Sequence, residues 1–351
     1  MFLDFEHLNI NSLRENYAQD AYFSSVLDFL ECFLVSNSFV SYTSGSTGDP
    51  KALEIDKIKA IESAHLSNNF FRITNLTHLV LCLDIKYIGS KMLLIRAHLA
   101  GAKVEVVRPS LNFYSEVLIP VIDFISLTPI HVNHILENNP QFFSKVKTCL
   151  IGASGVSREL EDKILGLNLT TVFYESFAMT ETISHFAVRS ISRNDAYFEC
   201  LEGFEVNVNT MDCLEVYHPF ILPEKVVTND IIDCINSSNF IFLGRKDHLI
   251  NTGGLKINPE KLEKEWSLFL PFKFILAGEE DAVLGQRVIM VLEPECTITK
   301  PQILQLFHGN SIGVKFIPKV FYLAKSWHET DSLKPLRREI IRNKMLLSEL
   351  S

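Results

Sequence analysis

Between Val40 and about Phe177 the chain alternates short apolar runs with longer stretches of helical periodicity, and this alternation limits the fold more than any other feature. Residues 79–83, 103–107, 124–127, 147–151 and 171–174 read as strands. Residues 88–100 read as a helix, with Gly101 just past its end, where a left-handed cap is cheap. A second helix starts near Pro129, a good first-turn residue, and a third covers 157–167 with Ser157 as its cap. Repeated strand–helix units of this kind give a mostly parallel sheet with flanking helices, an α/β fold. Such sheets place ligands on the loops at the carboxyl ends of their strands.

Past about Met211 the pattern changes to short β-like runs at 214–217, 230–235 and 240–243, ending in G-R-K-D at 244–247. Beyond it, helices are expected at 259–266 and 301–307 and strands at 274–277, 288–292 and 320–323. The division is therefore a large N-terminal domain, 1–245, and a small α+β domain, 246–351, with no internal repeat. The greasiest stretch, 117–130, is interrupted by Pro120, Asp123 and Pro129, so it reads as a buried strand between helices and not as a membrane span.

A net charge of −9 disfavours a nucleic-acid partner. The seven cysteines include no C-x-x-C pair and read as reduced thiols of a cytoplasmic protein. The opening M-F-L-D-F-E lacks the basic stretch of a signal peptide. His131 and His134 share a helix face without further metal ligands, the acidic run Glu279-Glu280-Asp281 reads as a solvated turn, and the 26 phenylalanines read as core and pocket lining.

The strongest local signal is S-Y-T-S-G-S-T-G-D-P-K over 41–51. Thr43, Ser44, Ser46 and Thr47 supply hydroxyls, Gly45 and Gly48 allow close backbone approach, and Lys51 adds a fixed charge, as a polyphosphate requires. A Walker A loop is excluded, because Asp49-Pro50 precede the lysine and Ala52 follows it.

This segment resembles, at every position, the phosphate-binding signature Y-T-S-G-S-T-G-x-P-K of the adenylate-forming (AMP-binding) superfamily. Further motifs follow in that family's order. Y-E-S-F-A-M-T-E-T over 174–182 resembles its Y-G-x-T-E segment. By that resemblance Glu181 would hold Mg²⁺, and Thr180 would bond the α-phosphate or the substrate carboxylate. Phe177, for the usual Tyr, would stack on adenine beside Ser176 and Ala178, the latter replacing the usual Gly. Gly152, Ala153, Ser154 and Gly155 resemble the adenine-side loop; a nucleophile elbow is rejected because Val156 takes its last glycine position. Asp230, in T-N-D for the family's T-G-D, would accept from the ribose hydroxyls, and Arg245 would contact ribose and phosphate. Asp247 would be the hinge, and Gly253, Gly254 and Lys256 would line the CoA channel. Lys334 would carry the catalytic charge, in a C-terminal motif that departs from the family at Glu329 and Leu333.

Within the superfamily the chain is most like short bacterial o-succinylbenzoate–CoA ligases, which serve menaquinone biosynthesis. That resemblance rests on T-E-T-I-S-H over 180–185, on 84–100 as an acyl-pocket wall, and on only about forty residues before the phosphate loop. It implies ATP, Mg²⁺ and CoA, a small carboxylic acid as substrate, and Lys86, His185 and Arg189 as candidates to receive the second carboxylate. Alternatives are an aryl or fatty acid CoA ligase, a stand-alone amino-acid adenylating enzyme (Asp84 sits where such relatives bind an α-ammonium group), and a non-catalytic nucleotide-binding regulator.

Overall fold

Period-two burial organises the large sheet. In the strand His78–Leu81, Leu79 and Leu81 enter one core and Val80 the other; in Val146–Ile151, Leu150 faces the first and Cys149 and Ile151 the second. Strands buried on both faces need helices on both sides. Lys57–Phe71 and Ile88–Ala100 supply the first core, and Pro129–Asn138 and Arg158–Gly166 the second. This computed structural model describes residues 1–42, 52–179, 181–211, 213–310, 312–313, 316–329 and 335–346.

Among the described residues, Lys103–Val106, His78–Leu81, Ile122–Leu127, Val146–Ile151 and Val172–Ala178 lie parallel in that spatial order. Antiparallel strands, from His185–Ser190 outward to Glu205–Val208, extend one side, and Phe2–Asp4 pairs antiparallel at the opposite edge. The expected caps are present: Gly101 closes its helix at φ 65, and the Ser157 side chain accepts from the Leu160 backbone. The strand expected at 171–174 continues to Ala178, because Ser176 and Phe177 keep pairing with Val188 and Ala187.

Residues 250–346 build a separate sheet around Phe274–Asp281, Gly285–Leu292 and Val320–Ala324, packed by Pro259–Trp266 and Lys300–Gly309. Its described core clusters contain no residue before Ile250. Here one expectation is corrected. Glu279, Glu280 and Asp281 are not a free turn but the end of a strand. Glu279 is held by Arg287, Lys344 and the Tyr322 hydroxyl, and it is Asp281 that caps the turn by accepting from Val283 and Leu284. No helix among the described residues is long and apolar enough to cross a membrane.

Candidate functional site

The parallel strands end towards one edge of the sheet, and the root of the 43–51 loop and the 152–155 loop follow such strand ends. Tyr42, the last described residue before the 43–51 loop, donates its backbone N–H to Lys86 at 3.3 Å and bridges to Tyr87, in the segment that follows His78–Leu81. The loop's return strand Ala52–Asp56 pairs with Ser38–Tyr42, so both ends of the loop are rooted at one place. Lys91, buried on Ile88–Ala100, donates to the Val40 carbonyl at 2.7 Å and fixes that root further. Thr43, Ser44, Gly45, Ser46, Thr47, Gly48 and Lys51 themselves lie outside the described residues, as do Thr180 and Lys334.

Two strand ends beyond, Gly152 donates to Leu127 at 2.9 Å. A side chain at Gly152 would come within 2.8 Å of the Ser176 hydroxyl, which itself donates to the Ile151 carbonyl, so the backbone approaches Val172–Ala178 as closely as only glycine permits. Ala153 follows at φ 72, and Ser154 completes the expected loop. Phe177 is partly buried, its ring 5.2–5.6 Å from those of Phe186, Phe198, Phe240 and Phe242.

Ala178 pairs with His185 across a tight turn. Thr182, fully buried, pins that turn by accepting from the Met179 N–H at 3.2 Å and donating to the Ser184 carbonyl at 2.7 Å. Ile183 stands at φ 66, a left-handed conformation that costs a β-branched residue on the order of 1–3 kcal/mol. Such strain persists only where the surroundings impose it, and it lies two residues from Glu181. The Glu181 carboxylate is exposed and has no hydrogen-bond or ion-pair partner among the described residues. An exposed, unpartnered carboxylate is the kind of oxygen ligand that a hard divalent cation takes.

The candidates for a substrate carboxylate separate sharply. Lys86 is half-exposed, its ammonium 3.5 Å from Asp84 and 4.7 Å from the Tyr87 ring, so it is not the buried cation expected. Arg189 is buried, but its guanidinium is already bound by Glu175 at 2.9 Å and by Glu161, which removes it from the list. His185 is buried and held neutral, its pKa pushed well down by burial and by Arg96. Its partner was missed in the sequence. Arg96 lies fully buried on Ile88–Ala100 and donates to the Ser184 hydroxyl at 2.8 Å, with His185 Nδ1 at 3.3 Å.

Burial lowers the Arg96 pKa to about 9, so it remains charged at neutral pH, and no carboxylate among the described residues pairs with it. Its Nε and His185 Nε2 have no acceptor among the described residues. Orphaned buried polar atoms also occur at Ser63, Ser67 and Asn68 of the neighbouring helix, and buried polar groups are rarely left so. The signal in the sequence was a pair of cations, Lys91 and Arg96, inside an otherwise apolar helix.

In the antiparallel part of the large sheet Asp230 and Arg245 are cross-strand partners, 3.3 Å apart, and Arg245 also bonds Asp247 at 3.0 Å. Asp247 lies in the short 3₁₀ turn Lys246–His248. Gly244, at φ 138, has Glu260 and Asn258 packed where a side chain would stand. Glu260 accepts from the Arg245 N–H at 2.6 Å and pairs with His248. Gly253 and Gly254 form the two-residue turn between Ile250–Thr252 and Leu255–Ile257, both at positive φ, and Lys256 is exposed beside them.

Comparisons with known proteins bear on the fold and the family. Residues 35–203 match the model of the AMP-binding enzyme family. No curated protein matches the chain by sequence. Among solved structures, an acyl-CoA synthetase (AMP-forming)/AMP-acid ligase II-like protein from Dyadobacter fermentans is 27% identical, with 92% of this chain and 95% of that one covered and a TM-score of 0.63. o-Succinylbenzoate CoA synthetase (MenE) from Bacillus subtilis, in complex with its acyl-adenylate, is 19% identical, with coverage of 88% and 70% and a TM-score of 0.72. ATP-bound MatB from Rhodopseudomonas palustris is 16% identical, with coverage of 87% and 67% and a TM-score of 0.71. The chain thus spans nearly the whole of the Dyadobacter protein and about seven-tenths of the Bacillus enzyme.

Proposed function

We propose that this chain, whose residues 35–203 match the AMP-binding enzyme family, is an adenylate-forming, AMP-forming acid–CoA ligase acting on a dicarboxylic aryl acid, with o-succinylbenzoate as the substrate that fits best. The observation that carries the substrate is Arg96: a buried guanidinium with no carboxylate partner among the described residues, set against the turn that bears Glu181. Leaving a charge unpaired out of water is costly, and a substrate that brings its own second carboxylate removes that cost. A stand-alone amino-acid adenylating enzyme fits less well, since Asp84 is already paired with Lys86.

In the first half-reaction a carboxylate oxygen attacks the α-phosphorus of ATP in line, the bond to the β-phosphate oxygen breaks, and pyrophosphate leaves with the electron pair. The reactants are both anionic, so the site's task is to position them and neutralise their charge. Lys51 and the hydroxyls of Thr43, Ser44, Ser46 and Thr47 would hold the phosphates, with Thr180 at the α-phosphate and Lys334 opposing the developing charge. Mg²⁺, held through Glu181, supplies further neutralisation of the polyphosphate when bound. Gly152, Ala153, Ser154, Ser176, Phe177 and Ala178 would bind adenine, and Asp230 and Arg245 the ribose. In the second half-reaction the CoA thiol attacks the acyl carbon and AMP leaves; residues 246–351 would turn about Asp247 to bring Gly253, Gly254 and Lys256 towards the thiol.

Two results bear on this reading. Arg96→Met keeps the side-chain volume and removes the charge. It should lower kcat/KM for o-succinylbenzoate by about 10- to 100-fold, the roughly 1.5–3 kcal/mol of a charged hydrogen bond, with KM for ATP unchanged. Steady-state kinetics on a panel of acids decides: benzoate or a fatty acid outperforming o-succinylbenzoate in the wild type would remove the substrate assignment. Asp247→Pro tests the turning of the small domain. Proline fixes φ near −65°, which a 3₁₀ turn accepts and a hinge needing other angles does not. The variant should keep acid-dependent ATP–pyrophosphate exchange and lose thioester formation from supplied acyl-adenylate. A folded variant that makes thioester at the wild-type rate would show that the hinge lies elsewhere.

A further inference from the structure

Glu175 and Arg189 face each other across the strands Val172–Ala178 and His185–Ser190, and both are buried. The two oxygens of Glu175 have different work. Oε2 accepts from Arg189 Nε at 2.9 Å, and Oε1 accepts from the backbone N–H of Val156 at 2.8 Å. Val156 closes the loop that contains Gly152, Ala153, Ser154 and Gly155. Arg189 also binds Glu161 of Arg158–Gly166, which meets Arg158 in turn, so the charges alternate. The Arg189 guanidinium lies 5.8 Å from the Phe198 ring, and Phe198 touches Phe177 at 5.2 Å. One buried network thus reaches both expected walls of the nucleotide's base, the 152–155 loop and the Phe177 ring.

We infer that Glu175 is a positioning residue for the nucleotide: its carboxylate, oriented by Arg189, holds the 152–156 loop at the distance from Phe177 that the base requires. This rests on the adenylation reading above. A carboxylate is needed because both oxygens must accept. An amide has one acceptor oxygen, so a glutamine can serve Arg189 or Val156 but not both. Glu161 lies one step further from the loop and provides the contrast, since it supports Arg189 without touching Val156.

The test compares Glu175→Gln with Glu161→Gln in the full chain, measuring KM for ATP, kcat at saturating ATP, AMP binding by calorimetry, and Tm. Glu175→Gln should raise KM for ATP at least tenfold and weaken AMP to match, with kcat within about twofold. Glu161→Gln should lower Tm and leave KM for ATP within about twofold. If Glu175→Gln does not fold, Glu175→Asp carries the test. It keeps the charge for Arg189 but shortens the reach to Val156, and should raise KM for ATP about fivefold or more. A folded variant with wild-type KM, or equal rises in the Glu175 and Glu161 variants, overturns the positioning role alone. A wild type that neither binds nucleotide nor releases pyrophosphate overturns it together with the adenylation reading.

Discussion

Glu181→Gln should reduce acid-dependent pyrophosphate release by about 10³-fold or more, a loss of roughly 4 kcal/mol of transition-state stabilisation. The substitution is nearly isosteric and removes one negative charge. Glu181 is exposed, makes no bond to other described residues, and sits just before Thr182 and the strained Ile183 without taking part in that turn's hydrogen bonds. The fold should therefore be untouched, which circular dichroism and Tm will show. What is lost is a hard anionic ligand for the cation that accompanies the polyphosphate. Raising Mg²⁺ should recover part of the rate, because weaker ligation is answered by concentration. Wild-type activity in Glu181→Gln would remove this residue from the site.

Lys334→Ala should separate the two half-reactions. Adenylation, in which two anions are brought together, should fall by about 10²- to 10³-fold, in line with the loss of one fixed charge aimed at the transition state. Thioester formation from supplied acyl-adenylate should stay near the wild-type rate, since on the proposed mechanism Lys334 would leave the site before that step. The segment after Lys334 is tied to the small domain by the Leu336 N–H, which donates to the His328 carbonyl at 2.8 Å, and by Arg337, held by Glu263 of Pro259–Trp266 at 2.6 Å. Single-turnover assays of each half-reaction measure the split. Equal losses in both would mean that the lysine does not move between them.

Much of this was legible in the sequence because the chemistry sits in contiguous segments. The strands and helices from 78 to 178 were visible, since two-faced burial writes continuous apolar runs and the caps at Gly101 and Ser157 are local devices. The helices Ile10–Tyr17, Ala21–Val35 and Lys57–Phe71 were not resolved. The second is nearly apolar all round, and the last buries Ser63, Ser67 and Asn68, so neither shows a clean polar face. The substrate pocket was read least well. Arg189 looked available because its acids, Glu175 and Glu161, are 14 and 28 residues away, and pairing across strands and onto a helix leaves no local trace. Arg96 was passed over for the converse reason: one arginine in a helix looks like a surface residue until the neighbouring helix and strand bury it.

The central claim is that this chain joins a carboxylic acid to AMP. Acid-dependent ATP–pyrophosphate exchange, measured without CoA, isolates that step. With o-succinylbenzoate, ATP and Mg²⁺ the exchange should proceed, stop when the acid is omitted, and yield an acyl-adenylate of the expected mass. A protein that binds ATP yet shows no exchange with o-succinylbenzoate or any other acid of the panel would contradict the account and point to a nucleotide-binding regulator.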